Sequence, residues 1–293
     1  MEVIPKGRNF RIVADKELLS VLDELQGYLP HCIKFHETIK TYLNDKVWQF
    51  YFYVTKDWPD VKLCLHFPGC TLTPNNELYE SFGVFCPTDQ LEYLSLLHDE
   101  DILIDWNKTI YVNFAQEVVI NRLEPFYKNI GSIEQVSAEV FTYDINAVLP
   151  DIEKFPQEEV ELRALSLKDV KDIHDLYPAG NMESIEVFQK LLEKLPGCGV
   201  FSRDGELLAW MVQSYYGAMF SMQTKPDHRR KGYGIWLAKT LTEIVIKRGY
   251  LPFVVIRPEN NASKGLYKKL GFKKKFNVVR AIFTPLEKPI SIN

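Results

Sequence analysis

Apolar positions between residues 160 and 284 recur at two periods. After Ser166-x-x-Asp169, an N-cap pattern, Leu167, Val170, Ile173 and Leu176 follow at helical spacing until Pro178-Ala-Gly180. A second helix is predicted over 182–194, with Val187, Phe188, Leu191 and Leu192 on its apolar face, and Pro196-Gly197 breaks it. Strand-like runs follow at 200–202, 207–213 and 218–224, the first two joined by the hairpin signal Arg203-Asp204-Gly205. A basic, glycine-containing segment then leads into a helix over 235–248. A strand at 253–256, a turn at Pro258-Glu-Asn-Asn261, a helix over 262–270 stopped by Gly271 and a strand near 276–284 complete an ααβββαβαβ order.

The first half reads in the same order. Helices are predicted near 16–28 and 33–43, and strands at 47–54, 61–67 and 81–85. A helix at 88–98, a strand at 110–114, a helix at 117–128 and a strand around 136–143 follow. Tyr127-Lys-Asn-Ile-Gly131 parallels Tyr267-Lys-Lys-Leu-Gly271, and Pro87 sits at almost the same offset from Pro226, so the chain reads as two repeated halves. The acidic, proline-marked stretch 149–159 is the linker. The expected division is 1–150 and 151–293.

Composition alters this picture through charge. The 293 residues are 46% hydrophobic and 25% charged, which fits a globular chain of about two domains. Residues 1–150 hold 12 Lys and Arg against 22 Asp and Glu, a net of −10, whereas 151–293 hold 23 against 17, a net of +6. Residues 218–281 alone carry 15 against 3. Such a segment suits a polyanionic ligand, either nucleic acid or a phosphorylated cofactor. The five cysteines lack CxxC spacing and read as reduced thiols. Cys64-x-His66-x3-Cys70 reads as part of a half-buried strand, so no metal is expected. No apolar run approaches a membrane span, and the N-terminus lacks the apolar core of a secretory signal. Arg8 and Arg11 are sparse for a mitochondrial presequence and Glu2 argues against one, so the cytoplasm is expected, with the mitochondrion as the alternative.

The densest candidate chemistry is Arg229-Arg230-Lys231-Gly232-Tyr233-Gly234, between a strand and a helix. Two glycines allow a tight turn and close backbone approach, and the amides of the first helical turn can bind phosphate oxygens. The bland reading is a tight turn with a solvated basic edge. Neither a dinucleotide fingerprint nor a Walker loop is present. About 30 residues later comes Asn260-Asn-Ala-Ser-Lys-Gly-Leu-Tyr-Lys-Lys-Leu-Gly-Phe272. Together the two segments resemble the acyl-CoA-binding core of the GNAT N-acyltransferase superfamily. Arg229, Gly232 and Gly234 fill its first motif, and Asn261, Tyr267 and Gly271-Phe272 its second. Over nearly the full length the chain also resembles the glycine N-acyltransferase family, with Trp58-Pro59-Asp60 and Pro68-Gly69 similar to its degenerate first half.

The resemblance implies an α/β (α+β, GNAT-like) fold of two tandem GNAT-like halves. Each is expected to hold a mixed central sheet flanked by helices, with the first half degenerate. It implies acetyl-CoA or another acyl-CoA as donor, and a small amine or amino acid such as glycine as acceptor, attacked directly in a ternary complex. Met222, Gln223 and Thr224 would supply backbone contacts to pantetheine. Arg229, Arg230, Lys231, Gly232, Tyr233 and Gly234 would hold the phosphates, with Asn261 on the following turn. Tyr267 would protonate the leaving sulfur; its bland reading is a core aromatic. The strand 218–224 has no carboxylate; Asp227, the nearest acid, matches the position of an acid proposed as base in glycine acyltransferases, with a plain loop or cap role for it and a water relay as the alternatives. His228 reads as a solvated loop residue and Cys198 as a thiol that direct transfer does not need. The counterpart loop 87–94 has two acids, no arginine and no glycine, and would repel pyrophosphate. The acceptor would be read by the region from Tyr177 to Met182 and by the interface between the halves. A non-catalytic acyl-CoA-binding module and a protein Nα-acetyltransferase remain as alternatives, while nucleic acid and membrane partners are not expected.

Overall fold

The apolar runs of the first half fold largely as they read, with one strand added in front. In the computed structural model, which describes residues 5–68, 80–152, 155, 159–180 and 183–286, strand β1 (Phe10–Ile12) precedes helices α1 (Leu18–Gln26) and α2 (Ile33–Asn44). Strands β2 (Phe50–Thr55), β3 (Cys64–Pro68), β4 (Gly83–Phe85) and β5 (Ile110–Gln116) follow, then α3 (Glu117–Tyr127) and β6 (Gly131–Thr142). The helix expected at 88–98 is a 3-10 segment, Leu91–Leu97, that buries Leu94 and Leu97 three residues apart, the spacing that eclipses on a 3-10 turn. Cys70, Gly69 and Met182, and residues 153, 154 and 156–158 of the linker, lie outside the described residues.

The second half repeats the order. It runs β7 (Val160–Ala164), α4 (Val170–Asp175), α5 (Ile185–Lys194), β8 (Gly197–Ser202), β9 (Leu207–Gln213), β10 (Met219–Thr224), α6 (Tyr233–Lys247), β11 (Phe253–Ile256), α7 (Asn261–Lys269) and β12 (Lys273–Pro285). The Ser166 cap is real: Asp169 accepts from the Ser166 backbone N–H at 2.7 Å and from its hydroxyl at 2.9 Å. On α6, Leu237, Leu241 and Val245 recur every fourth residue, are fully buried, and pack the helix on β8, β9 and β10. Each such side chain contributes about 1.5–3 kcal/mol by leaving water.

Three four-stranded antiparallel sheets result: β1-β2-β3-β4, β10-β9-β8-β7 and β11-β6-β12-β5. The third is built from both halves. Strand β6 of the first half lies between β11 and β12; strand β12 of the second lies between β6 and β5. Their joint register runs from Lys273 opposite Thr142 to Pro285 opposite Gly131. Side-chain alternation follows from this. Val279, Ala281 and Phe283 of β12 enter the core built on the first half. Phe141 of β6, with Tyr143 just beyond it, enters the core built on the second. A one-residue slip of either strand would turn these faces out. The repeat between Tyr127–Gly131 and Tyr267–Gly271 therefore marks the two helix-to-strand corners that launch the exchanged strands.

Cys64 and His66 lie buried on β3, with the His66 ring packed against Phe35, Phe50 and Phe52. Among the described residues no group of three His, Cys, Asp or Glu is placed to hold a metal ion, and no helix is long and apolar enough to cross a membrane.

Candidate functional site

Strands β10 and β11 belong to different sheets, and a cavity of about 710 Å³ opens between them. The cause is visible in the register. Phe220 pairs with Val212 and Gln223 with Trp210, so β10 carries one more residue than β9 between these points. Ser221 takes up the bulge with a φ of 52°. Met222 and Gln223 then line the cavity, and the bulge frees backbone groups on that strand from the ladder. Thr224 is not part of the wall; its carbonyl accepts from Arg229 Nε at 3.2 Å, which ties the loop to the end of the strand.

The basic loop is a 3-10 turn at Pro226–His228 followed by left-handed backbone at Arg230 (φ 66°) and Gly232 (φ 79°). Gly232 is the N-cap of α6, so the first amides of a 15-residue helix point out of the loop without intrahelical acceptors. Arg229, Arg230 and Lys231 are exposed around them. That is an anion-binding arrangement. The two glycines meet different demands. A side chain on Gly232 would enter open space but strain φ, whereas a Cβ on Gly234 would lie 3.2 Å from Leu266 Cδ1 and 3.6 Å from Met222 Sδ. Gly234 is therefore needed for the packing of α6 on α7 and β10. Tyr233 is buried with its ring in the core, so only its backbone N–H is available to a ligand. On the next turn Asn260 caps α7, accepting from Ser263 N–H at 3.0 Å, and lines the cavity; Asn261 is the exposed first residue of that helix.

Tyr267 stands in the cavity wall, 3% exposed, its hydroxyl 3.7 Å from Met211 Sδ. Burial, and secondarily Cys198, push its pKa well above that of a free phenol, so it is a proton donor throughout the physiological range. Cys198 is buried on β8, donates to the Leu237 carbonyl at 3.5 Å and is pushed up to about 12 by burial, the state of an inert thiol. Asp227 is exposed in the 3-10 turn and is not part of the cavity wall.

Beyond the bulge both halves line the cavity. Tyr177, Pro178, Ala179 and Glu183 come from the α4–α5 connection. Phe114 of β5, at a second bulge with a φ of 50°, and Val136, Ser137 and Ala138 of β6 come from the first half. Arg280 on β12, opposite Val136, also lines it. Behind Tyr215 lies a buried ion pair: Lys34 binds Glu80, and Tyr215 donates to the other oxygen of the same carboxylate at 3.1 Å.

Residues 197–281, from the start of β8 into β12, match the family described as FR47-like protein. A Drosophila protein of known structure superposes with a TM-score of 0.76 at 19% identity, over 94% of this chain and 98% of its own. A GCN5-related N-acetyltransferase (GNAT) from Sphaerobacter thermophilus superposes with a TM-score of 0.55 at 12% identity, over 98% of this chain and 99% of its own. This chain has the GNAT fold. In sequence it is similar to mouse glycine N-acyltransferase, 19% identical over 257 residues that cover 80% of this chain and 85% of that protein. The FR47-like match encloses the β10 bulge, the basic loop and Tyr267, but stops short of the α4–α5 connection. Glu183 lies in that unmatched stretch. Sequence reasoning missed it because an acid two residues before a helix is an ordinary N-terminal feature. Only its burial in the wall of this cavity sets it apart.

Proposed function

We propose that the protein is an acyl-CoA-dependent N-acyltransferase that acylates the amine of a small molecule or amino acid, glycine among them, by direct attack within a ternary complex. The observation that carries this reading is the continuity of one cavity. It runs from Met222, Asn260, Ser263 and Tyr267, beside the basic loop, to Tyr177, Phe114 and Glu183. Donor thioester and acceptor amine can therefore share one space, and no covalent acyl-enzyme is needed. Exposed Arg229, Arg230 and Lys231 with the α6 amides suit the phosphates of CoA. The freed backbone at the β10 bulge suits pantetheine and the thioester carbonyl. Tyr267 is suited to protonating the departing sulfur.

A cavity of about 710 Å³, lined in part by the first half, suits a small acceptor. The reading as a binding module rested on the missing strand carboxylate, and Glu183 supplies a carboxylate from another element. Amine-dependent release of free thiol across a panel of acyl-CoAs and amines tests the proposal. Release that no amine accelerates, together with measurable acyl-CoA binding, would leave the binding module as the function.

A further inference from the structure

Glu183 is 6% exposed and is the only carboxylate among the described residues of the cavity wall. Its backbone is held on both sides: its N–H donates to Ala179 O at 3.1 Å, and its carbonyl lies 2.9 Å from His174 Nε2. Tyr177 donates a hydrogen bond to its carboxyl group, yet Oε2 is buried with no hydrogen-bond partner among the described residues. A buried carboxylate oxygen left without a donor costs stability. The residue lines a cavity sized for ligands, which gives that cost a functional reason.

We propose that Glu183 is the general base of the transfer, its carboxyl group taking the proton of the acceptor amine as the nitrogen closes on the thioester. This rests on the acyltransferase reading above and deepens it. The acceptor ammonium gives one proton to Glu183, which later returns it to water. The neutral nitrogen attacks the carbonyl carbon and the N–C bond forms. As the C–S bond breaks, the sulfur leaves with its electron pair and takes the Tyr267 hydroxyl proton to become the thiol, and the nitrogen's second proton passes through water to restore the tyrosine. The products are an amide and free CoA.

The charges around Glu183 suit this role. Burial raises its pKa most, the Tyr177 hydrogen bond lowers it, Glu80 raises it and Arg280 on β12 lowers it, leaving it at about 7. A base poised there is ionised for about half the molecules at neutral pH and still able to accept a proton. His174 touches its backbone only, and Arg257 and Tyr267 line the cavity elsewhere. Asp227, exposed and outside the wall, has no such access to a bound amine.

The test is the pH dependence of kcat/KM for wild type, Glu183→Gln and Tyr177→Phe, with titration of a non-reactive acyl-CoA analogue as a check on the site. Wild type should lose activity below pH about 7 with unit slope. Glu183→Gln should lose about 10²–10³-fold at pH 7.5, lack that limb, and bind the analogue within about twofold of wild type. Tyr177→Phe should move the limb to higher pH, which a merely structural role would not do. A Gln variant that keeps the wild-type profile overturns the assignment while the acyltransferase reading stands. A wild type that acylates no amine overturns both.

Discussion

Tyr215, in the hairpin between β9 and β10, donates its hydroxyl proton across the two halves to Glu80 at 3.1 Å. Glu80 is fully buried. Burial alone would raise its pKa, but Lys34, then His66 and the two hydrogen bonds, outweigh it and hold the carboxyl below its usual range. A depressed carboxyl contributes stability above its unfolded pKa and loses it as pH falls through the folded one. Lys34→Met, which leaves the carboxylate buried without its main cation, should cost about 3–5 kcal/mol at pH 7 and distinctly less at pH 3. Urea unfolding at the two pH values measures this; equal costs would mean that Glu80 is not ionised.

Glu183 predicts the opposite slope. Its folded pKa of about 7 lies above the ordinary 4.5, so the native state holds the extra proton and stability falls as pH rises between those values. Glu183→Gln removes this penalty. The variant should match wild type near pH 4 and gain up to about 3 kcal/mol above pH 7. Thermal melting across this range checks it, and a gain that is flat with pH would contradict the shift.

For the loop glycines, Gly232→Ala should cost about 1–2 kcal/mol through φ alone. Gly234→Val should cost about 1–3 kcal/mol by overpacking Leu266 and Met222, and should weaken acyl-CoA binding through displacement of α6. Melting temperature and calorimetric titration, measured on the same samples, separate the two effects. Full stability of Gly234→Val would refute the packing role.

Tyr267→Phe keeps the ring in the core and deletes the hydroxyl. Stability should change by less than about 1.5 kcal/mol, while the chemical step slows by roughly 10-fold or more. Because the phenol stays protonated well above neutrality, the loss should be uniform from pH 6 to 9. Single-turnover rates decide it; a wild-type rate would make Tyr267 a packing residue.

The order of elements, the basic loop and Tyr267 were legible because each leaves a local signal: period, glycine spacing, and a motif in register with another. Strands β1 and β7 were not, being three and five residues long and stabilised by pairing rather than by pattern. Asn260 and Asn261 could not be ranked without the helix boundary that makes one the cap. The exchange of β6 and β12 has no local signature at all. Their sequences specify strands with one buried face, and pairing with the other half satisfies that demand as well as pairing at home. Glu183 was hidden for the same reason, since its burial depends on walls supplied by β5, β6 and β12.

The exchange also predicts how the chain divides. Residues 151–293 alone lack β6 beside β11 and lack Phe141 and Tyr143 in their core. Each fragment, 1–150 and 151–293, should unfold without cooperativity, and the two mixed should regain a single sharp transition by circular dichroism. A cooperative melt of 151–293 by itself would show that β6 is dispensable.

Synthesis on the ribosome meets this topology in a fixed order. Strands β5 and β6 emerge long before β12, whose first residue is 131 positions after the end of β6. At about 5–20 residues per second, that leaves the nascent first half waiting on the order of ten seconds with β6 open on both edges and β5 without its partner. Its net charge of −10 keeps neighbouring nascent chains apart in that interval. The late strand arrives with Lys273, Lys274 and Lys275 at its start, and Lys274 ends 2.6 Å from Glu139 of β6. The opposite charges of the halves thus guard the open seam and then guide the strand that closes it.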